Sequence, residues 1–188
     1  MHKTTRIPLM VNSSIFRARG SLFALAALLV LVLGTTASAA DVSVSYSFER
    51  PLIIDQELDG ITYDRVMIPN APNGGVVGHP DLPQAGATIL IPYGEEVTSV
   101  SVTTDGSVAL GDGYSIAPVV QPVPFSLADE QAPPVAKDPA VYGQQSVYPR
   151  TLQETIGTQT VRGYRMVTVK LHPVQYNPSN GQLVYHPR

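Results

Sequence analysis

Cysteine is absent from the 188 residues. That excludes disulfide staples, thiolate metal ligands and a thiol nucleophile on this chain. Packing and backbone hydrogen bonds must therefore hold the fold. Basic residues are scarce beyond the first 39, which contain Lys3, Arg6, Arg17 and Arg19 and no acid. The remainder has eight Lys and Arg against fifteen Asp and Glu, a net charge near −7. Nucleic-acid binding rests on phosphate neutralisation by Lys and Arg, and no glycine-rich phosphate loop is present, so no nucleic-acid partner is expected. Long apolar runs are missing too. The longest, Leu22–Leu33, has twelve residues, against about 20 for a bilayer span, which argues against a stable membrane span.

Chemistry-bearing patterns are equally thin. His79, His172 and His186 each precede proline, which pushes them towards extended loop or strand-end backbone. No two of them have the spacing of a zinc site on one element, so no metal is expected. No G-x-S-x-G elbow occurs; a triad assembled in space stays open on spacing alone, but no catalysis is expected of this chain. Asp55-Gln56-Glu57-Leu58-Asp59-Gly60 imitates the start of a calcium loop, yet the twelfth position, which should be Glu, is Val66. It reads as a polar turn. Asp105-Gly106 and Gly111-Asp112-Gly113 read as hairpin turns, and weak surface calcium there stays open. No cofactor is expected.

What is present begins with an export signal. Arg17 and Arg19 precede the short apolar run, and Thr35-Thr36-Ala37-Ser38-Ala39-Ala40 supplies small residues for cleavage. Residues 1–39 are read as a secretory signal peptide cut after Ala39, with Ala40 the neighbouring alternative; Met10 serves as a start as well as Met1. The product is secreted or displayed at the cell surface. Residues 40–188 form one domain, long enough for a single core.

Period-two alternation dominates this domain. Asp41–Phe48, Ile61–Ile68, Thr88–Ile91, Val97–Thr103 and Tyr114–Val120 read as strands separated by Gly, Pro, Asn and Asp turns. Val161–Tyr185 reads as one unbroken hairpin. Val167, Val169 and Leu171 alternate with polar or flexible neighbours, and Asn180-Gly181 turns the chain into Gln182–Tyr185. From Pro118 to Pro149 prolines crowd the chain, so this stretch is expected to cross the surface as an extended, partly polyproline-like loop. No segment after the signal has a capped helical period. The expected class is all-β, a β-sandwich of jelly-roll-like form. Tyr142, Tyr148, Tyr164, Tyr176 and Tyr185 are expected to pack across strands with hydroxyls at the rim; a glycan platform is the alternative.

Three pieces follow one another along the chain: Gly78-His79-Pro80-Asp81-Leu82-Pro83 leading into Ala87–Pro92; Val141-Tyr142-Gly143 with Tyr148-Pro149; and Val161-Arg162-Gly163 with Pro173-Val174-Gln175-Tyr176-Asn177-Pro178. This order resembles the N-terminal propeptide of the gingipain-type cysteine peptidases, over roughly Gly78–Tyr185, most specifically in its last third. The resemblance implies a noncatalytic β-sandwich prodomain that covers the active-site cleft of a following catalytic domain, its partner, and assists its folding. It also implies a loop entering the cleft. Matching that loop places Ser126, Leu127, Ala128 and Asp129 over it, with Leu127 where the family's best-known members carry a basic residue. That departure implies a peptidase not specific for Arg, or a contact made elsewhere, for instance by Lys137 or Arg150. Ending at Tyr185-His186-Pro187-Arg188, the domain is expected to be truncated at its C-terminal end. The alternative reading is a structural or adhesive β-sandwich module of an exported bacterial surface protein.

Overall fold

The computed structural model describes residues 41–122 and 136–188. Among them, strands account for nearly all regular structure. β1 (Leu52–Leu58) and β2 (Ile61–Met67) form a hairpin around Asp59-Gly60, with Leu58 opposite Ile61. β3 (Asn73–Gly74) and β4 (Leu82–Pro83) make a short antiparallel pair. β5 (Ala85–Leu90), β7 (Gln153–Val161) and β8 (Tyr164–Leu171) form one antiparallel sheet with β8 in the middle. β6 (Val108–Gly111), β9 (Val174–Asn177) and β10 (Gln182–Tyr185) form another with β10 in the middle. A single helical turn, α1 (Pro139–Tyr142), precedes β7.

β8 occupies the centre because its pattern suits it. Val167, Val169 and Leu171 are buried while Met166, Thr168 and Lys170 between them are half-buried. Both edges of β8 are paired, with Val169 opposite Ala87 of β5 and Thr155 of β7. Across His172-Pro173 the chain leaves this sheet and enters the other. One apolar core joins the two: Val66, Ile116, Val169, Val174 and Leu183 lie together, each no more than 1% exposed. Burying each such side chain contributes about 1.5–3 kcal/mol.

Several sequence expectations need correction. Val161–Tyr185 is not one hairpin but parts of two: β7–β8 turns at Arg162-Gly163, and β9–β10 turns before Gly181. Proline at 173 cannot donate to a ladder, so the chain changes sheets there. Asp41–Phe48 and Val97–Thr103 alternate as strands do but belong to none of the ladders among the described residues. Tyr114–Val120 is extended and largely buried but makes only an isolated bridge, Pro118 with Pro80. It is tied to β2 instead: Asp64 N–H donates to Ser115 O (2.8 Å), and Ser115 N–H donates to Asp64 Oδ2 (2.7 Å). The proline-rich stretch contains α1, signalled by Asp138 as N-cap and Pro139 in the first turn. Its residues 123–135 lie outside the described ones, as does the signal region with Ala39 and Ala40. The calcium-like run is mostly strand, since Asp55–Leu58 belongs to β1.

Candidate functional site

Val119 and Asp138, which flank residues 123–135 in sequence, are held at one point of the domain. Gly78 N–H donates to Val119 O (2.9 Å), Val119 N–H donates to His79 O (2.7 Å), and Asp138 N–H donates to Gly78 O (2.9 Å). Two backbone residues thus hold both stems of the intervening stretch. Position 78 favours glycine through its backbone: φ is +88°, a conformation L side chains rarely adopt, whereas a Cβ there would meet Ala136 O and Asp138 Cβ at ordinary contact distances of 3.4 and 3.5 Å.

Side chains brace the same point. His79 Nε2 lies 3.3 Å from Asp138 Oδ2, and its Nδ1 lies 3.2 Å from Tyr148 Oη. A neutral ring protonated on Nε2 donates to the carboxylate and accepts from the phenol, so both ring nitrogens are used. The ring also stands edge-on to Tyr148, centroids 5.4 Å apart. Asp138 Oδ1 accepts from Ala140 N–H (2.8 Å), so one carboxylate caps α1 and holds His79.

Behind the stems, tyrosines lock distant segments together. Tyr142 Oη–H donates to Ile116 O and Tyr176 Oη–H to Tyr114 O, both at 3.0 Å. The backbones of Tyr148 and Tyr176 exchange two hydrogen bonds of 2.7 Å each. Burial, the leading cause, pushes the phenols of Tyr142, Tyr148 and Tyr176 above their ordinary pKa. They therefore stay neutral donors in any physiological medium. Gly78-His79 of the first sequence piece, Tyr142 and Tyr148 of the second and Tyr176 of the third meet here, whereas Ala87–Leu90 lies in β5 and Arg162-Gly163 makes the β7–β8 turn. As a group the tyrosines pack rather than form an open platform: Tyr176 and Tyr185 lie in the core and Tyr142 and Tyr148 pack against it, whereas Tyr164 is exposed.

The Propeptide_C25 family model matches residues 30–188. The chain belongs to the Propeptide_C25 family. Among curated proteins it is 28% identical over 151 residues to Lys-gingipain HG66 and to Lys-gingipain W83, both of Porphyromonas gingivalis. The match takes in 79% of this chain but 9% of either relative, so this chain spans a small fraction of their length. Among solved structures, the complex of the pro- and mature domains of Porphyromonas gingivalis RgpB superposes with a TM-score of 0.62 at 17% identity, covering 76% of this chain and 73% of that one. A structure concerned with zymogenic latency of gingipain K, from the same organism, gives 0.56 at 23% identity, covering 76% and 78%. These structural likenesses establish a shared fold. A Propeptide_C25 chain is a noncatalytic part of a precursor, and with no cysteine this one holds no thiol nucleophile.

Within this Propeptide_C25 domain the sequence candidates separate. Ser126, Leu127, Ala128 and Asp129 lie outside the described residues, between the two anchored stems. Lys137, at the returning stem, has its Nζ 4.9 Å from the centroids of both Tyr63 and Tyr142. Burial pushes its pKa below the ordinary lysine value, and each ring offers about 0.5–1 kcal/mol to the cation. Arg150 Nη2 donates to Gln144 Oε1 (2.6 Å), beside α1. Both cations are thus engaged within the domain. Sequence reasoning missed Gly78, His79 and Asp138 as stem anchors. Asp138-Pro139 was a legible helix start, but nothing local pairs it with His79.

Proposed function

We propose that this chain is the exported, noncatalytic β-sandwich prodomain of a gingipain-like cysteine peptidase. It keeps the zymogen latent by covering the catalytic domain's active-site cleft, and it assists that domain's folding. The observation that carries the reading is the pinning of both stems of the 120–137 stretch on Gly78 and His79, within a chain of a propeptide family. A segment held at both ends loses less conformational freedom on docking than a free one, which favours tight insertion. The names of the structural neighbours, a pro- and mature-domain complex and a latent zymogen, support the same partner. Two packed three-stranded sheets sharing one core support the sandwich architecture.

In this proposal Ser126, Leu127, Ala128 and Asp129 enter the cleft, and Lys137 and Arg150 contact its rim. Val76 and Val77, 60% and 53% exposed beside the stems, add apolar surface for the partner. Leu127 in place of a basic residue fits a peptidase that does not require Arg. Residues 1–39 act as the signal peptide, cut after Ala39 or Ala40, and deliver the precursor to the exterior or the cell surface. The test is a titration of the purified domain against the activated peptidase of the same precursor. Stoichiometric loss of activity is expected. A peptidase that stays fully active in micromolar domain overturns the proposal.

A further inference from the structure

Beyond Met166 the sheet of β5, β8 and β7 narrows to a two-stranded ribbon. β5 ends its ladder at Leu90 opposite Met166, and only Ile91 N–H reaches further, to Arg165 O (2.9 Å). β7 and β8 run on, Thr160 opposite Arg165 and Val161 opposite Tyr164, to the turn at Arg162-Gly163. Every residue from Glu154 to Arg165 is exposed. β7 is the outermost strand of its sheet, so its other edge is unpaired among the described residues.

The turn holds an unfavoured residue. Arg162 has φ +51° and Gly163 +85°, the left-handed pair that a tight hairpin turn needs. Glycine adopts it freely and asparagine is tolerated, whereas arginine is strained there. Strain kept at an exposed tip points to a use for the side chain. The Arg162 guanidinium makes no hydrogen bond or ion pair among the described residues. Other arginines are placed differently. Arg50 precedes a proline, whose ring obstructs a peptidase at that bond, and Arg65 is half-buried in β2. Arg150 lies between Pro149 O, which accepts from Gln175 Nε2 (2.8 Å), and Leu152 O, which accepts from His172 N–H (2.9 Å). Arg165 is paired with Glu96 at 3.2 Å.

We propose that the Arg162–Gly163 bond is a cleavage site for an arginine-specific peptidase, and that the cut turns the domain into two pieces held by contact alone. A carboxylate in that peptidase's specificity pocket pairs with the free guanidinium. Its cleft takes the substrate as an extended strand laid along an edge. Gln159, Thr160 and Val161 already present such a strand with an open edge, so little more than the last two ladder pairs must part for Arg162 to enter. Water then adds across the amide, its hydroxyl to the Arg162 carbonyl carbon and its hydrogen to the Gly163 nitrogen. The new acid's proton passes to the new amine, leaving a carboxylate and an ammonium. The piece from Gly163 onward carries β8, β9 and β10, with Val169, Val174 and Leu183 of the core. Its contacts persist but its covalent link does not, so stability comes to depend on concentration. The proposal goes beyond the inhibitory reading and does not depend on it.

The test treats the purified chain with dilute trypsin under native conditions and follows the pieces by mass and N-terminal sequence. Within residues 40–188 the first cut is expected after Arg162, giving a piece that begins Gly163-Tyr164. Arg162→Gln should slow that cut about a hundredfold or more, because the pocket carboxylate loses its partner, whereas Arg165→Gln should not slow it. The Tm of the cut chain is expected to rise with protein concentration while that of the intact chain stays constant. In cells that make the protein, a piece beginning at Gly163 is expected as the domain is broken down. Three results overturn the proposal: a first cut elsewhere in residues 40–188, a cut chain whose Tm ignores concentration, or breakdown in those cells without a piece beginning at Gly163.

Discussion

Gly78 and Gly181 are two glycines whose replacement the structure ranks. Both have positive φ, +88° and +69°, where an L side chain costs about 1–2 kcal/mol. A Cβ on Gly78 meets its neighbours at 3.4–3.6 Å, ordinary contact, whereas one on Gly181 stands 2.6 Å from Tyr114 N and 2.7 Å from Tyr114 O. Gly181→Ala therefore requires the backbone to move, and it should lower the Tm more than Gly78→Ala does; equal shifts would mean that the turn relaxes freely. Asn-Gly was legible as a turn, but the crowding by Gly113 and Tyr114 was not, since those residues are remote in sequence. Tyr176→Phe is expected to cost about 1 kcal/mol in urea unfolding, because its hydroxyl satisfies Tyr114 O.

At the scale of elements, β7 and β8 pair along their whole length yet differ in what they carry. Val169 in β8 is 1% exposed, and Val169→Ala should cost about 2 kcal/mol through lost burial and a cavity. Ile156 in β7 sits at the register shift between Thr155 and Gly157 and is 57% exposed; Ile156→Thr should stay within about 0.5 kcal/mol. Chemical denaturation of both variants checks the contrast. His172, where the chain passes between sheets, has its pKa pushed below 6.5 by burial and by Lys170, against an opposing pull from Glu154; burial lowers His186 too, opposed by a bond to the Gly106 backbone. The unfolded chain thus binds these protons first as pH falls. The stability of the neutral rings is present above about pH 6.5 and is lost as pH drops through their lower folded values. Denaturation midpoints should fall between about pH 7 and pH 5.5, and His172→Gln should shrink that fall. Asp81, raised mainly by burial, acts in the opposite sense, its contribution being greatest at low pH, so the comparison with the variant isolates the histidine.

For the molecule as a whole, scaffold and proposed inhibitory segment are separable, because Val119 and Asp138, which flank residues 123–135 in sequence, are both held by Gly78 and His79. Replacing those residues with a short Gly-Ser linker should leave the Tm nearly unchanged, since halving a loop alters closure by only about 0.6 kcal/mol. The same replacement should abolish inhibition of the partner peptidase. A replacement that unfolds the domain would assign the stretch to the core instead, and unaltered inhibition would remove it from the cleft.

The class of the fold, the strand character of Ile61–Met67 and Tyr164–Leu171 and the Asn-Gly turn were determined by the sequence itself, because each rests on neighbours one to four residues apart. The ordered motifs pointed to the family for a similar reason: they are strings, readable without knowing what they touch. β1 and β7 escaped notice because β1 carries a charged run and β7 buries little of either face, so alternation leaves no mark; pairing with β2 and β8 makes them strands. Asp41–Phe48 and Val97–Thr103 show the converse, since alternation prepares a strand but only an adjacent backbone completes its hydrogen bonds. Where both stems of 120–137 meet, with His79 between Asp138 and Tyr148, was decided by the tertiary structure alone, because hydrogen bonds between residues far apart in sequence depend on a packed core that first brings them within bonding distance of each other.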